Sequence, residues 1–410
     1  MAEKILIMAV KDPEQKAEQF QSSLEELISL SKTAGGSVKE IVTQNRQSIH
    51  PATYIGRGKV EEIKSLIDEH NIELVISNDE LSPGQLRNLG ELLDIPIIDR
   101  NQLILDIFAQ RAKTKEGQLQ VELAQLEYTL PRLYGQGVVL SRLGGGIGTR
   151  GPGETKLETD QRHIRRKIVD IKRRLDVVVK QREQYRKRRK LNHVYQVAIV
   201  GYTNAGKSTI FNRLTDSDSL EEDLLFATLD PLTRTIQLPS GFEMLITDTV
   251  GFIQDLPTTL VASFRSTLEE VTEADFIIHV VDGSHDDRVH HEDTVNNLLE
   301  ELDAHQIPKL TVYNKSDLFD KDFIPISHPY IVTNAFEEKD LQKLIYKIEE
   351  TLKDHWEYYE FQLKPHEGRV LHQLQKESIL IERKFDESKN HYGVKGYIRS
   401  DHPLYNKILQ

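Results

Sequence analysis

The chain has 410 residues, and at roughly 100–200 residues per domain this length predicts two to four domains. Hydrophobic residues make up 38% of the chain, which favours a buried core over wholesale disorder. The absence of cysteine excludes disulfides, thiol catalysis and cysteine-ligated metal sites, and a formal net charge of −12 argues against a nucleic-acid partner for the chain as a whole.

No apolar stretch approaches the roughly 18 residues of a membrane span, and the apolar run that follows Lys4 is too short for a signal peptide. Together with the lack of cysteine, this predicts a cytoplasmic protein with no obligate membrane association. Nothing in the sequence indicates an obligate oligomer, so we expect a monomer.

The N-terminal residues 1–110 alternate short apolar runs with segments of helical periodicity. The runs predict strands at 5–10, 38–42 and 74–77, and the periodic segments predict helices at 14–30 and 59–70. Ser82 followed by Pro83 is typical of a helix start, with a capping serine and a proline at the first helical position. Because strands alternate with helices, we expect an α/β domain with a parallel sheet.

Residues 111–192 predict a long antiparallel helical hairpin, since two apolar stripes recur at three- and four-residue spacing. The stripes are Leu119, Leu123, Leu126, Leu130 and Leu133, then Ile164, Ile168, Ile171, Leu175 and Val178. A loop at 135–158 separates them and contains eight of the 23 glycines. Glycine at this density predicts a flexible or unusually shaped tip.

The second hairpin helix is strongly basic. Between Arg162 and Lys190 there are fourteen Lys/Arg and three acids, a net charge of +11 on an otherwise acidic protein. Such an arm is typical of proteins that touch RNA locally, although a solvated coiled-coil exterior has the same composition. The candidate RNA contacts are Arg142, Arg150, Lys156, Arg186, Lys187, Arg188 and Arg189.

A phosphate-binding loop follows the apolar strand 197–200 and precedes a helix-compatible run at 209–214. Its residues are Gly201-Tyr202-Thr203-Asn204-Ala205-Gly206-Lys207-Ser208-Thr209. Glycines let backbone N–H groups wrap phosphates, and the helix N-terminus adds partial positive charge. We expect Lys207 to reach the β- and γ-phosphates and the Ser208 hydroxyl to ligate Mg²⁺.

Two further motifs follow apolar strands in the order that a GTPase needs, Asp248-Thr249-Val250-Gly251 and Asn314-Lys315-Ser316-Asp317. Asp248 is expected to hold Mg²⁺ through water, and the Gly251 N–H to contact the γ-phosphate. The Asp317 carboxylate matches the N1–H and exocyclic amine of guanine, which adenine lacks. The three motifs together predict a GTP-binding domain over 193–355, and residues 356–410 predict a small α+β domain.

Three threonines are candidates for a switch residue that binds Mg²⁺ with GTP, Thr228, Thr233 and Thr235. Phe252 stands where many GTPases carry a water-orienting glutamine, so hydrolysis must depend on another group, an ion or a partner. Asn204 is a candidate ligand for a monovalent cation such as K⁺, with turn support as the equal alternative. The His285, His290 and His291 cluster predicts a solvated helix face rather than a metal site.

Three segments resemble the HflX family of ribosome-associated GTPases: 54–59 (Tyr-Ile-Gly-Arg-Gly-Lys), 144–158 in the glycine-rich loop, and Phe226-Ala227-Thr228-Leu229-Asp230-Pro231. The resemblance implies that residues 226–230 form the first switch, with Thr228 as its Mg²⁺ ligand. It also implies a guanine contact at Asn334-Ala335, although a serine is usual at the first position. Lys207, Thr228 and Gly251 are then the candidate catalytic residues.

The resemblance also implies a partner, the large ribosomal subunit and its rRNA, and an activity, separation of stalled or idle ribosomes by the GTP-bound form. The hairpin loop would approach the peptidyl transferase centre. The fold implied is a P-loop GTPase domain preceded by the α/β domain and the hairpin. Alternatives are a GTPase of ribosome assembly or tRNA modification, a GTP-sensing RNA-binding module with negligible turnover, and an RNA-stimulated ATPase.

Overall fold

The structure is a computed structural model, and it describes residues 2–133, 156–215, 225–226, 228–254, 265–319, 323–387 and 390–408. The chain forms two compact units. The first comprises Met1–Lys180, Asp223–Leu229 and Gln254–Arg265, and the second comprises Gln181–Glu222, Asp230–Ile253 and Ser266–Gln410. Within the described ranges, no helix is long and apolar enough to cross a bilayer.

The first unit begins with a four-stranded parallel sheet in the order β2-β1-β3-β4. Its strands are β1 (Lys4–Lys11), β2 (Ser37–Asn45), β3 (Leu74–Ser77) and β4 (Ile97–Asp99), and its helices are α1 (Ala17–Thr33), α2 (Arg57–His70), α3 (Pro83–Leu93) and α4 (Arg100–Arg111). Ser82 caps α3 by accepting a hydrogen bond from the Gln85 N–H, and Pro83 follows at the first position. The predicted parallel α/β sheet is confirmed.

Two long helices follow, α5 (Lys115–Leu133) and α6 (Lys156–Leu191). They pack through the buried side chains of Leu119, Leu123 and Ile171, and Lys167 pairs with Glu122 at 2.9 Å. This packing agrees with the predicted helical hairpin. Because α6 begins at Lys156, the predicted loop 135–158 runs into the helix, and its remaining residues lie outside the described ranges.

The second unit contains a six-stranded sheet in the order β10-β9-β8-β5-β7-β6, in which only β6 is antiparallel to its neighbour. The strands are β5 (Tyr195–Gly201), β6 (Leu232–Gln237), β7 (Glu243–Asp248), β8 (Phe276–Asp282), β9 (Lys309–Asn314) and β10 (Tyr330–Val332). The helices are α7 (Lys207–Thr215), α8 (Arg265–Thr272), α9 (Arg288–Glu301) and α10 (Glu338–His355). Parallel strands of this kind place ligands at their carboxyl ends.

A small α+β domain completes the second unit, as predicted. It contains β11 (Glu357–Leu363), α11 (Gly368–Glu377), β12 (Ile379–Asp386), β13 (His391–Ile398) and α12 (Pro403–Ile408), with an antiparallel sheet in the order β11-β13-β12. Trp356 and Ile379 are buried in the core of the six-stranded sheet. The small domain is therefore packed onto the preceding one.

The contact between α5 and α6 provides a stability test. Ile171 is 2% exposed against α5, whereas Val169, on the same helix, is 67% exposed. Ile171→Ala leaves a cavity, and we expect it to lower the free energy of unfolding by about 2–4 kcal/mol. Val169→Ala should change it by less than about 0.5 kcal/mol. Urea denaturation followed by circular dichroism measures both, and equal effects would contradict the packing described here.

Candidate nucleotide-binding site

The phosphate loop joins the end of β5 to the start of α7, and its glycines are required by close neighbours. A Cβ atom on Gly201 would lie 2.2 Å from the carbonyl oxygen of Val280, and one on Gly206 would lie 2.2 Å from the Asn314 side-chain nitrogen. Gly206 also has a φ of +95°, which favours glycine, and Asn204 has a φ of 60°. The loop thus has left-handed backbone conformations at Asn204 and Gly206, which are typical of turns whose N–H groups bind anions.

Lys207, at the first position of α7, lies in the centre of this loop. Its side-chain ammonium donates a hydrogen bond of 2.7 Å to the carbonyl oxygen of Tyr202, and the residue is 6% exposed. Burial lowers the pKa of Lys207 to about 8, against an opposing effect of the Asp248 charge. Phosphate oxygens at this position would stabilise the ammonium form.

Ser208 and Asp248 come together at the same end of the sheet. The Ser208 hydroxyl donates to the Asp248 carboxylate at 2.7 Å, and Asp248 is fully buried at the end of β7. Next to it, the buried Thr249 hydroxyl donates to the carbonyl oxygen of Ile199 at 2.6 Å. A hydroxyl and a carboxylate oxygen are ligands that Mg²⁺ accepts, so these two residues fit the ion, which would neutralise phosphate charge.

The segment after Asp248 is attached to the phosphate loop by its backbone. The Phe252 N–H donates to the Gly201 carbonyl at 3.1 Å, and the Phe252 carbonyl accepts from the Thr203 N–H at 2.7 Å. A Cβ atom on Gly251 would lie 2.8 Å from the Thr203 methyl group, so glycine is required there. The Phe252 ring is 1% exposed and Val250 is also buried, so neither side chain is available to orient water.

Asn314 connects the phosphate loop to the predicted guanine contacts. Its side-chain nitrogen donates to the Ala205 carbonyl, and its side-chain oxygen accepts from the Ala335 N–H, both at 3.0 Å. Asn334, which replaces the usual serine, accepts from the Phe336 N–H at 3.0 Å and thereby forms the turn itself. The departure from serine is thus structurally accommodated.

The predicted guanine-selecting motif follows β9 directly. Lys315 has a φ of 62°, and its ammonium pairs with Asp282, at the end of β8, at 2.7 Å. The Ser316 N–H donates to the Thr333 carbonyl at 3.1 Å, and Asp317 is exposed on a short 3-10 turn. An exposed carboxylate in a fixed turn is free to accept hydrogen bonds from a base.

The predicted first switch is divided between the two units. Phe226, Thr228 and Leu229 belong to the first unit, Asp230 belongs to the second, and Ala227 lies outside the described residues. Within the first unit, the Phe226 ring contacts Phe108 edge-on, with centroids 4.6 Å apart. The role of Thr228 in binding Mg²⁺ stays a prediction. Its alternative Thr233 lies within β6, where its hydroxyl is 2.9 Å from that of Thr247.

Sequence reasoning missed two residues beside the site, Asp282 and His291. His291 was expected on a solvated face, yet it is 8% exposed and its ring stacks on that of Tyr202. The available signal was the helical spacing of His291 with Val295 and Leu298, which places all three on one buried face. Among the described residues, no cluster of three or more His, Cys, Asp or Glu side chains could hold a metal ion.

The strand order and the motifs at the carboxyl ends of β5, β7 and β9 define a P-loop guanine-nucleotide-binding protein. Three family profiles match the chain: GTP-binding GTPase N-terminal at 21–109, GTP-binding GTPase Middle Region at 111–189, and 50S ribosome-binding GTPase at 196–315.

Curated relatives agree with these profiles. GTPase HflX of Alkalihalophilus pseudofirmus is 55% identical over 96% of this chain and 93% of the relative. GTPase HflX of Escherichia coli is 49% identical over 74% of this chain and 71% of the relative. The chain belongs to the HflX family of GTPases, and the predicted GTPase activity is confirmed at this level.

A solved structure is also similar, that of a GTP-binding protein from the archaeon Sulfolobus solfataricus in complex with GDP. It is 24% identical, covers 86% of this chain and 99% of its own, and has a TM-score of 0.45.

The exposed position of Asp317 predicts its effect on base selection. Asp317→Asn replaces a carboxylate that matches two guanine donors, so GTP binding should weaken by about 1.5–3 kcal/mol. Discrimination against xanthine nucleotides should relax, because xanthine offers an acceptor where guanine has its amine. Competition against a fluorescent GDP measures both affinities. Unchanged GTP affinity in the variant would exclude Asp317 from the base site.

The lowered pKa of Lys207 predicts a pH-dependent affinity. As pH rises through the pKa of about 8, the free protein loses the ammonium that phosphates require. The dissociation constant for GTP should therefore rise about fourfold between pH 7 and 8.5. The Lys207→Arg variant keeps its positive charge over this range. It should bind GTP more weakly than the parent, and its dissociation constant should change little with pH. A flat profile in the parent, or the same slope in both proteins, would contradict the assignment.

Proposed function

We propose that this chain binds the large ribosomal subunit and, when loaded with GTP, separates stalled or idle ribosomes into subunits. Two facts support the proposal: the family, and the profile at 196–315, which is described as a 50S ribosome-binding GTPase. The observation that carries the RNA-binding part is the long helix α6 with its exposed cationic side chains. Such a function belongs in the cytoplasm, where ribosomes are found.

The basic end of α6 has two faces with different partners. On one face, Arg186 donates to Glu269 and Glu270 of α8, both at 2.8 Å, and Arg189 lies 3.6 Å from Glu270. On the other face, Lys187 and Arg188 are exposed. The four predicted RNA contacts of this segment therefore fall into a paired group and an exposed group. An arginine engaged by two carboxylates is poorly placed to neutralise phosphate. We assign the RNA role to Lys187 and Arg188.

Further along α6, toward its N-terminus, the exposed cations continue. Arg166 and Arg173 are exposed. Arg174 is exposed as well but lies 3.8 Å from Asp170, and Lys167 and Lys172 pair with glutamates of α5. Exposed guanidinium groups along a helix attract a polyanionic backbone over a distance of about one Debye length, ~8 Å at physiological salt. The helix therefore suits attachment to rRNA through phosphates rather than through base sequence.

The predicted tip residues Arg142 and Arg150 lie outside the described ranges, and Lys156 is the first residue of α6. We assign local contact with the ribosome to this loop because glycine and arginine together approach RNA closely. In this proposal, α6 supplies attraction and the loop performs the separation. The two roles require different parts of the chain, and so they can be tested separately.

For the nucleotide site we assign Mg²⁺ to Ser208 and Asp248, with Thr228 joining them in the GTP-bound form. The ion supplies charge neutralisation for the phosphates, and Lys207 supplies a fixed positive charge beside them. Because the Phe252 ring is buried, water must be oriented by another group. We assign this to the ribosome, with K⁺ held by Asn204 as a second contributor, so that hydrolysis to GDP follows attachment.

Sucrose-gradient analysis of intact ribosomes with a non-hydrolysable GTP analogue tests the proposal. Deletion of 144–153 should leave GTP binding and most ribosome affinity intact but abolish subunit separation. Lys187→Ser with Arg188→Ser should weaken association and flatten its salt dependence, since on a duplex each lost phosphate contact lowers the log–log slope by about 0.9. Arg186→Ser, the matched change on the paired face, should leave the slope nearly unchanged.

If the variant that lacks 144–153 separates ribosomes as well as the parent does, the loop is not the part that performs the separation. Binding of the parent only to immature subunits, with no separation of ribosomes, would favour a role in ribosome assembly instead. Equal salt slopes for the parent and the Lys187/Arg188 variant would show that the exposed face of α6 does not meet RNA.

A further inference from the structure

The ring of Tyr202, in the phosphate loop, is stacked on the ring of His291, in α9. The centroids are 3.7 Å apart and the planes differ by 8°. Tyr202 and His291 are 6% and 8% exposed, so both rings are almost fully withdrawn from water. A flat contact between two buried rings fixes the plane of each, and aromatic pairs contribute beyond the area they bury.

The backbone of Tyr202 makes the contacts on which the phosphate loop depends. Its carbonyl oxygen accepts the hydrogen bond from the Lys207 ammonium at 2.7 Å, and the residue forms a parallel bridge with Phe252. A rotation of Tyr202 about its backbone would therefore move the acceptor that aims Lys207. It would also disturb the backbone pairing between Thr203 and Phe252.

The helix that carries His291 is itself anchored to β9. The neighbouring Glu292 accepts a hydrogen bond from the Tyr313 hydroxyl at 3.1 Å, and the Lys309 ammonium donates to the Asn296 side chain at 2.6 Å. Because β9 ends at Asn314, which contacts the phosphate loop through Ala205, these bonds also fix the position of α9 relative to that loop. His291 is in addition uncharged, because burial, His285 and His290 lower its pKa to about 3.

We propose that His291 is a positioning residue for the phosphate loop: by stacking on Tyr202 it holds the carbonyl that aims Lys207 at the phosphates. The residue touches no reacting atom, and its effect passes through Tyr202. It should therefore matter for nucleotides whose β- and γ-phosphates reach Lys207 and matter little for GMP, which ends at the α-phosphate. A residue needed only for folding would affect all guanine nucleotides alike.

Two substitutions at His291 distinguish the effect of the flat ring from the effect of the volume that it fills. His291→Leu fills the space without a ring, and His291→Phe restores a flat ring. We expect the leucine variant to raise the dissociation constant for GTP about two- to tenfold, with GMP within about twofold of the parent. The phenylalanine variant should return GTP to within about twofold of the parent. His305→Leu, the same change at an exposed position beyond α9, serves as the matched control.

Competition against a fluorescent GDP measures the constants, and thermal unfolding reports whether each variant folds. Should His291→Leu fail to fold, Tyr202→Leu and Tyr202→Phe make the same comparison from the other ring. Equal losses for GTP and GMP, or a phenylalanine variant no better than leucine at matched melting temperature, would overturn the proposal. The proposal would also be overturned if the effects of Tyr202→Leu and His291→Leu on the dissociation constant for GTP simply multiplied in the double variant, because the two rings would then act independently.

Discussion

A single buried amide, that of Asn314, links the loops that make up the nucleotide-binding edge of the second unit. It donates to the carbonyl of Ala205 after β5 and accepts from the N–H of Ala335 after β10. Asn314 itself ends β9, so three strands are connected through one side chain. Leaving either half of a buried amide unsatisfied costs about 1–3 kcal/mol, which is why the loops hold one another in place. The contact also depends on Gly206, since a Cβ there would lie only 2.2 Å from the amide nitrogen.

The parts of the fold that depend on local sequence could be predicted from it. Apolar runs ending in glycine or Asx motifs predicted β5, β7 and β9, and Ser82-Pro83 predicted the start of α3, because caps and turns are determined by neighbouring residues. The apolar stripes through which α5 and α6 pack could also be recognised in the sequence, because a helix repeats its buried face at fixed spacing. For the same reason the candidate residues at the ends of β5, β7 and β9 could be named from the sequence.

Partners distant in sequence could not be predicted. A run of four cations at 186–189 looks uniform in sequence, yet only the approach of α8 distinguishes Arg186 from Lys187. The three histidines of 285–291 looked like a polar surface because composition does not reveal which ring meets Tyr202. Likewise, the packing of Phe226 on Phe108 joins residues far apart in the chain. In each case the decisive neighbour is tertiary, and local patterns carry no information about it.

The two-faced charge of α6 has an evolutionary consequence. Arg182 and Arg186 share Glu269, and Arg186 also engages Glu270, so these positions form one electrostatic unit with α8. A change in one member leaves a partly buried charge without its counterpart, which selects for a compensating change in the other. In the proposed function, Lys187 and Arg188 instead contact rRNA phosphates, so a change at either position alters an intermolecular contact. Along one short stretch of helix, neighbouring cations would then be subject to two separate constraints: Arg182 and Arg186 are expected to change together with the glutamates of α8, and Lys187 and Arg188 together with the partner that they contact.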